Sequence, residues 1–261
     1  MHRVRKRFGQ HFLHDKQVID QLIRAIAVQP SQHFLEIGPG KGALTIPLLQ
    51  QCNSMIAVEL DRDLIPVLRQ QASKHGDLQI INADILNFRL NSLPGESYRI
   101  VGNLPYNIST PLMFHLLDSI DRIHDMHFMV QKEVAQRIVA DVGNGHYGRL
   151  SVMLQSQCDC QYLFDVAPTC FMPPPAVDSA VIRLQPRQQA EFEISDKFLF
   201  AQIVQTAFEQ RRKTVSNALK TIVSDDIFAH CGIDKRLRAE NLRGCDYAAL
   251  TQALSERSSD G

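Results

Sequence analysis

Apolar positions along this chain switch between two periods. Val18, Ile19, Leu22, Ile23 and Ile26 recur three and four residues apart, which predicts an amphipathic helix over residues 16–28. Short apolar runs bounded by polar or glycine-bearing segments then predict strands at 33–37, 55–58, 78–81, 99–102 and 127–130, with later ones at 161–166 and 180–184. A helix is expected from about 43 to 50, and Asp61 stands where it would cap the next one. Strands alternating with helices call for an α/β fold, a mostly parallel sheet covered on both faces. Beyond the polar stretch Gln185-Pro186-Arg187-Gln188-Gln189, residues 198–208, 215–222, 227–231 and 247–254 carry helical spacing and no strand signal. The expected division is therefore a sheet domain at 1–189 and a small all-α domain at 190–261.

Composition narrows the class. At 261 residues, 44% hydrophobic and 21% charged, the chain has the material for a sizeable core and is neither disordered nor collagenous. Lys+Arg and Asp+Glu are both 28, so no global charge advertises a polyanionic partner, although Arg3, Arg5, Lys6 and Arg7 make a basic start. No uncharged apolar run approaches the ~18–20 residues of a membrane helix. The basic start leads into Phe8-Gly9-Gln10-His11 and not into an apolar run, so no signal peptide is expected. Six cysteines lack any C-x-x-C pair, and Cys158-x-Cys160 has no second pair at zinc spacing. Reduced structural thiols, a cytoplasmic location, no membrane partner and no metal are the expectation.

Chemistry concentrates at four predicted strand ends, where open α/β sheets bind ligands. Gly38-x-Gly40-x-x-Ala43 follows the first, and its glycines let backbone amides approach a ligand closely. Glu59 ends the second, suited to accepting from both ribose hydroxyls; Asp84 follows the third, suited to an exocyclic adenine amine. These point to an adenosine-bearing cofactor, a nicotinamide dinucleotide among the choices. Asn103-Leu104-Pro105-Tyr106, after the fourth, decides the chemistry. Pro105 biases Leu104 to an extended conformation, so its carbonyl joins the Asn103 amide oxygen as a second acceptor. Two such acceptors suit an amino group with two N–H donors, and Tyr106 offers a stacking face. Held this way, a conjugated amine presents its lone pair to a methyl donor. A hydride-transfer enzyme would leave this loop without work.

Eight motifs in order resemble the ribosomal RNA adenine N6,N6-dimethyltransferase family over nearly the whole chain. They are Gly9-Gln10-His11-Phe12-Leu13, Leu35-Glu36-Ile37-Gly38-Pro39-Gly40-x-Gly42, Val58-Glu59-Leu60-Asp61 and Gly102-Asn103-Leu104-Pro105-Tyr106. Gln131-Lys132-Glu133-Val134-Ala135, Tyr147-Gly148-Arg149-Leu150-Ser151, Phe171-x-Pro173-Pro174-Pro175-x-Val177-Asp178-Ser179 and Phe208-x-Gln210-Arg211-Arg212-Lys213-Thr214 complete the set. The resemblance implies a Rossmann-like sheet and S-adenosylmethionine as methyl donor, leaving S-adenosylhomocysteine. It implies cofactor contacts from His11, Leu13, Gly38, Glu59, Asp84 and Asn103, with Asn103 to Tyr106 holding the target base. Phe171 would close over that flipped base opposite Tyr106, on a loop stiffened by its prolines.

The same resemblance implies, as substrate, two adjacent adenosines in the 3′-terminal hairpin loop of 16S RNA within the small ribosomal subunit, with a role in subunit biogenesis and no obligate protein partner. Arg211, Arg212 and Lys213 are the expected RNA-phosphate contacts, whereas Lys235, Arg236 and Arg238 read equally well as a solvated face. Two rival readings share these features: a methylase of large-subunit RNA of the antibiotic-resistance type, and a ribosome-binding protein that gates assembly.

Overall fold

The computed structural model describes residues 10–259, so Arg3, Arg5, Lys6, Arg7 and Gly9 lie outside it. Two compact units divide the chain. One holds the residues up to Ala135 together with Asp159–Pro186, and the other holds Gln136–Cys158 and everything from Arg187 onward.

The first unit opens with β1 (Phe12–Leu13) and α1 (Lys16–Ile26). Asp15 starts α1 by accepting from the Val18 amide at 3.0 Å, and Leu22, Ile23 and Ile26 form its buried stripe. Then come β2 (Phe34–Ile37), α2 (Thr45–Cys52), β3 (Ser54–Glu59), α3 (Ile65–Ala72), β4 (Asp77–Asn82), β5 (Tyr98–Asn103), α4 (Ser109–Leu117) and β6 (Ile123–Gln131). The chain continues through α5 (Lys132–Ile138) and α6 (Arg149–Gln155) to β7 (Cys158–Val166), β8 (Phe171–Met172) and β9 (Ser179–Pro186). Seven strands form one sheet in the order β4-β3-β2-β5-β6-β9-β7, with β2 to β6 parallel and β9 antiparallel to β6. All seven predicted strands of the sheet are present. From β2 the chain builds outward through β3 and β4, then returns to lay β5 on the other side of β2. That reversal opens a crevice at the carboxyl ends of β2 and β5, the place where such sheets receive ligands.

Two local features hold the crevice in shape. Gly102 lets β5 lie against β2, since a Cβ there would stand 2.7 Å from the Ile37 carbonyl oxygen. Beneath it, buried Arg99 on β5 grips Asp125 on β6 with two bonds of 2.7 and 2.8 Å. The same guanidinium donates to the Ile26 carbonyl at 2.6 Å and to Gln32 at 2.7 Å, fastening the end of α1 to the sheet.

One expectation is corrected here. Asp61 does not cap α3, which begins at Ile65; its carboxylate accepts from the Asp63 amide and from the Gln10 side chain at 3.0 Å. The chain also pairs β1 with β8 in a separate antiparallel ribbon, Phe12 opposite Met172 and Leu13 opposite Phe171. Strands two residues long carry no periodicity, and their partners lie far apart in sequence.

The second unit contains α6, then α7 (Lys197–Glu209), α8 (Val215–Ala218), α9 (Asp225–His230) and α10 (Gly244–Ser259). Residues 136–158, assigned from sequence to the sheet domain, join it for a packing reason. Tyr147 places its ring 6.1 Å from Phe208 of α7 and donates to the Leu242 carbonyl at 3.1 Å. Tyr247 of α10 lies 6.2 Å from the same Phe208 ring and donates to the Ala239 carbonyl.

Candidate active site

A cavity of about 350 Å³ occupies the crevice, lined by the ends of β2 to β5 and by residues of β1. That volume suits a small-molecule cofactor site. Every sequence-predicted cofactor residue borders it: His11, Leu13, Gly38, Glu59, Asp84 and Asn103, together with Leu104, Pro105 and Tyr106.

At the end of β2, Gly38 and Gly40 adopt φ of +66° and +57°, a left-handed turn that L side chains resist. The Phe12 ring lies over Gly40, 3.3 Å from where a Cβ would stand. Glu59, ending β3, accepts the Gly40 amide at 3.0 Å on one oxygen and the Asp61 amide at 2.8 Å on the other. Burial raises its pKa, and the two amides oppose that shift. Each oxygen keeps a lone pair, so the carboxylate remains able to accept two hydroxyls. Asp84 is fixed by the same logic, accepting from the Leu86 amide at 3.0 Å and from Asn87 at 3.2 Å.

Asn103 sits where β5 ends. Its Nδ2 donates to the His11 carbonyl at 2.9 Å, which assigns the amide orientation and leaves Oδ1 as the free acceptor. The next residue, Leu104, donates its amide to the Met129 carbonyl, while no donor among the described residues bonds to its own carbonyl. Asn103 Oδ1 and the Leu104 carbonyl are thus both left as acceptors by their described neighbours, and both residues border the cavity. The Tyr106 ring is stacked on His11 at 5.7 Å and 27°, and its phenol pairs with Ser179 Oγ at 2.6 Å. His11 Nδ1 bonds to the Pro173 carbonyl at 2.8 Å; that oxygen only accepts, so Nδ1 carries the proton.

Glu36 is the cavity residue whose state the motif reading left unassigned. It is 2% exposed, accepts from Thr45 Oγ1 at 2.6 Å, and burial lifts its pKa to about 8. Glu36 is thus mostly protonated at neutral pH, which relieves repulsion with Glu59. Its position inside an apolar strand was the available signal.

Two of the predicted contact residues have intramolecular partners in the structure. Phe171 is 2% exposed and packs in the apolar cluster with Leu13 and Leu22, not at the cavity. Alternation in the ribbon explains this: Leu13 and its partner Phe171 face the core, whereas Met172 points outward, 62% exposed. In the second unit, half-exposed Arg211 bonds Glu240 at 2.6 Å and the Gly145 carbonyl at 2.7 Å, which ties parts of that unit together. Arg212 and Lys213 are exposed. Lys235 and Arg236 pair with Asp225 and Asp234 on the surface.

The profile of the ribosomal RNA adenine dimethylase family matches residues 1–256. The chain belongs to that family. A Thiobacillus denitrificans relative named ribosomal RNA small subunit methyltransferase A is 51% identical over 257 residues, 98% of this chain and 100% of that protein. Its namesake from Pseudomonas syringae pv. tomato is 48% identical over 258 residues, covering 98% of this chain and 96% of the relative. Among solved structures, a dimethyladenosine transferase from Plasmodium falciparum superposes with TM-score 0.83 at 24% identity, over 95% of this chain and 98% of that one. The 23S rRNA methyltransferase ErmE gives 0.73 at 25% identity, over 94% and 99%. This dimethylase family member is accordingly a methyltransferase of ribosomal RNA that depends on S-adenosylmethionine. No helix among its described residues is long and apolar enough to cross a membrane.

Proposed function

We propose that this dimethylase transfers methyl groups to N6 of two adjacent adenosines in the 3′-terminal hairpin loop of 16S RNA, within the small ribosomal subunit. The observation that carries the reading is the orientation of Asn103: with Nδ2 committed to His11, its Oδ1 joins the Leu104 carbonyl as a pair of acceptors beside an aromatic face. Two acceptors that take the two hydrogens of an amino group would favour a tetrahedral nitrogen and direct its lone pair towards the methyl donor. The same oxygens favour the positive charge that develops on nitrogen. No strong base is needed, because the amine becomes acidic only after transfer. Fixed approach of this kind supplies up to ~7–11 kcal/mol.

S-adenosylmethionine, when bound, supplies an electrophilic methyl group. The residues present fit it. Glu59 retains a lone pair on each oxygen for the ribose hydroxyls, Asp84 faces the same cavity for the adenine amine, and the left-handed glycine turn keeps Cβ atoms out of the way. His11, just before the ribbon, and Leu13 within it complete its wall. In the second unit, exposed Arg212 and Lys213 are the candidates for RNA phosphates. The choice of small-subunit over large-subunit RNA is supported by curated relatives at 48–51% identity, set against 25% for ErmE.

The test is incubation of unmethylated small subunits with labelled S-adenosylmethionine, followed by mapping of labelled adenines. Two adjacent dimethyladenosines are expected in the terminal hairpin. Asn103→Ala is expected to lose transfer at least a hundredfold while changing cofactor affinity far less. Equal losses of both would contradict the role given to Asn103.

A further inference from the structure

Tyr106 enters the reading above as a stacking face, yet it lies in the loop after β5, where a ring is free to change rotamer. Its surroundings remove that freedom. The phenol oxygen stands 2.6 Å from Ser179 Oγ, and Ser179 is fully buried as the first residue of β9, register-paired with Gln131 of β6. The anchor therefore belongs to the sheet and not to another loop. One face of the ring lies against His11, whose Nδ1 is itself held by the Pro173 carbonyl.

Both anchors come from one short stretch of chain, Pro173 directly after β8 and Ser179 at the start of β9. Pro173, Pro174 and Pro175 fix φ at successive positions there, so the segment is stiff where it grips His11. We propose that Ser179 is a positioning residue for methyl transfer: its hydroxyl, together with His11 steadied by Pro173, locks the Tyr106 ring in the rotamer on which the target base stacks. Ser179 is fully buried and is not among the residues that line the cavity. Its influence passes through the phenol of Tyr106. Releasing the phenol lets the ring leave its rotamer, and the base it supports then spends less time in line with the methyl donor.

The inference rests on the assignment of Tyr106 as the base-stacking ring, and a double-mutant cycle separates the two. Ser179→Ala, Tyr106→Phe, the double variant and Tyr106→Leu are compared in single-turnover transfer to unmethylated small subunits at saturating S-adenosylmethionine, with cofactor affinity measured by calorimetry. Ser179→Ala and Tyr106→Phe are each expected to slow transfer about tenfold, the size of one lost hydrogen bond. The double variant should be no slower than the slower single one. Ser179→Thr, which retains the hydroxyl, should restore most of the rate, and cofactor affinity should stay within twofold throughout.

Additive losses, or a wild-type rate for Ser179→Ala, overturn the inference. Should Ser179→Ala fail to fold, Tyr106→Phe decides alone, and a wild-type rate for it is equally fatal. If Tyr106→Leu also transfers at the wild-type rate, the stacking assignment itself is wrong. If Tyr106→Leu is slow while Tyr106→Phe is normal, only the role of Ser179 falls.

Discussion

Replacing Glu36 by glutamine removes one ionisation from the floor of the cavity and leaves its shape intact. The side-chain carbonyl of glutamine still accepts from Thr45, which bonds the carboxyl oxygen at 2.6 Å in the native protein. Burial lifts the native carboxyl from 4.5 to about 8. Below pH 4.5 both folded and unfolded chains hold the proton, and the stability linked to it is fully present. Between pH 4.5 and 8 the unfolded chain has released the proton while the folded one retains it, so stability falls as pH rises. Above about pH 8 both forms are ionised and the loss is complete. At about 1.4 kcal/mol for each pH unit, the window amounts to at most about 5 kcal/mol. Urea unfolding of both proteins at pH 5, 6, 7, 8 and 9 reads this directly. Comparison with the variant cancels most of the contribution of Glu59, whose pKa burial also raises. Glu36→Gln is expected to match the native protein near pH 5 and to exceed it by a few kcal/mol at pH 8 and above. Parallel pH profiles would refute the argument, because they would mean that Glu36 ionises in the folded protein as it does in the unfolded chain.

Other consequences are as direct. Gly102→Ala forces a methyl group to within 2.7 Å of the Ile37 carbonyl, so β2 and β5 must part, and urea unfolding should show a loss of about 1–3 kcal/mol. Asp125→Ala strands the buried guanidinium of Arg99; about 3–5 kcal/mol of stability should go, and unchanged stability would mean that water reaches the site. Arg212→Ala with Lys213→Ala should weaken RNA binding and flatten its salt dependence by about two phosphate contacts without shifting thermal unfolding. Arg211→Ala should instead lower the unfolding temperature, because its guanidinium ties Glu240 to the Gly145 carbonyl.

The site was legible wherever its residues report on their own neighbours. Glu59, Asp84 and Asn103 each follow an apolar run, so the strand end and the polar group could be read together. All three border one cavity because parallel strands deliver their carboxyl ends to one side of the sheet. The burial of Phe171 could not be read locally, because it depends on Leu13, its ribbon partner 158 residues earlier. A one-position alternation in that ribbon puts Phe171 in the core and Met172 outside. Arg211 looked like its neighbours Arg212 and Lys213, and only the approach of Glu240 and Gly145 sets it apart. Nothing local to residues 136–158 says that Tyr147 packs beside Phe208.

Taken by itself, the order of residues determined the α/β class, the succession of strands and the loop chemistry that follows each of them. Periodicity and turn residues are properties of a few neighbouring positions, and they survive in any context. Tertiary structure alone decided that Asn103 commits its Nδ2 and not its Oδ1 to His11, which nitrogen of His11 carries its proton, and that burial raises the Glu36 carboxyl. Those states follow from partners distant along the chain and from the exclusion of water, and both come into being only when the sheet closes around its crevice.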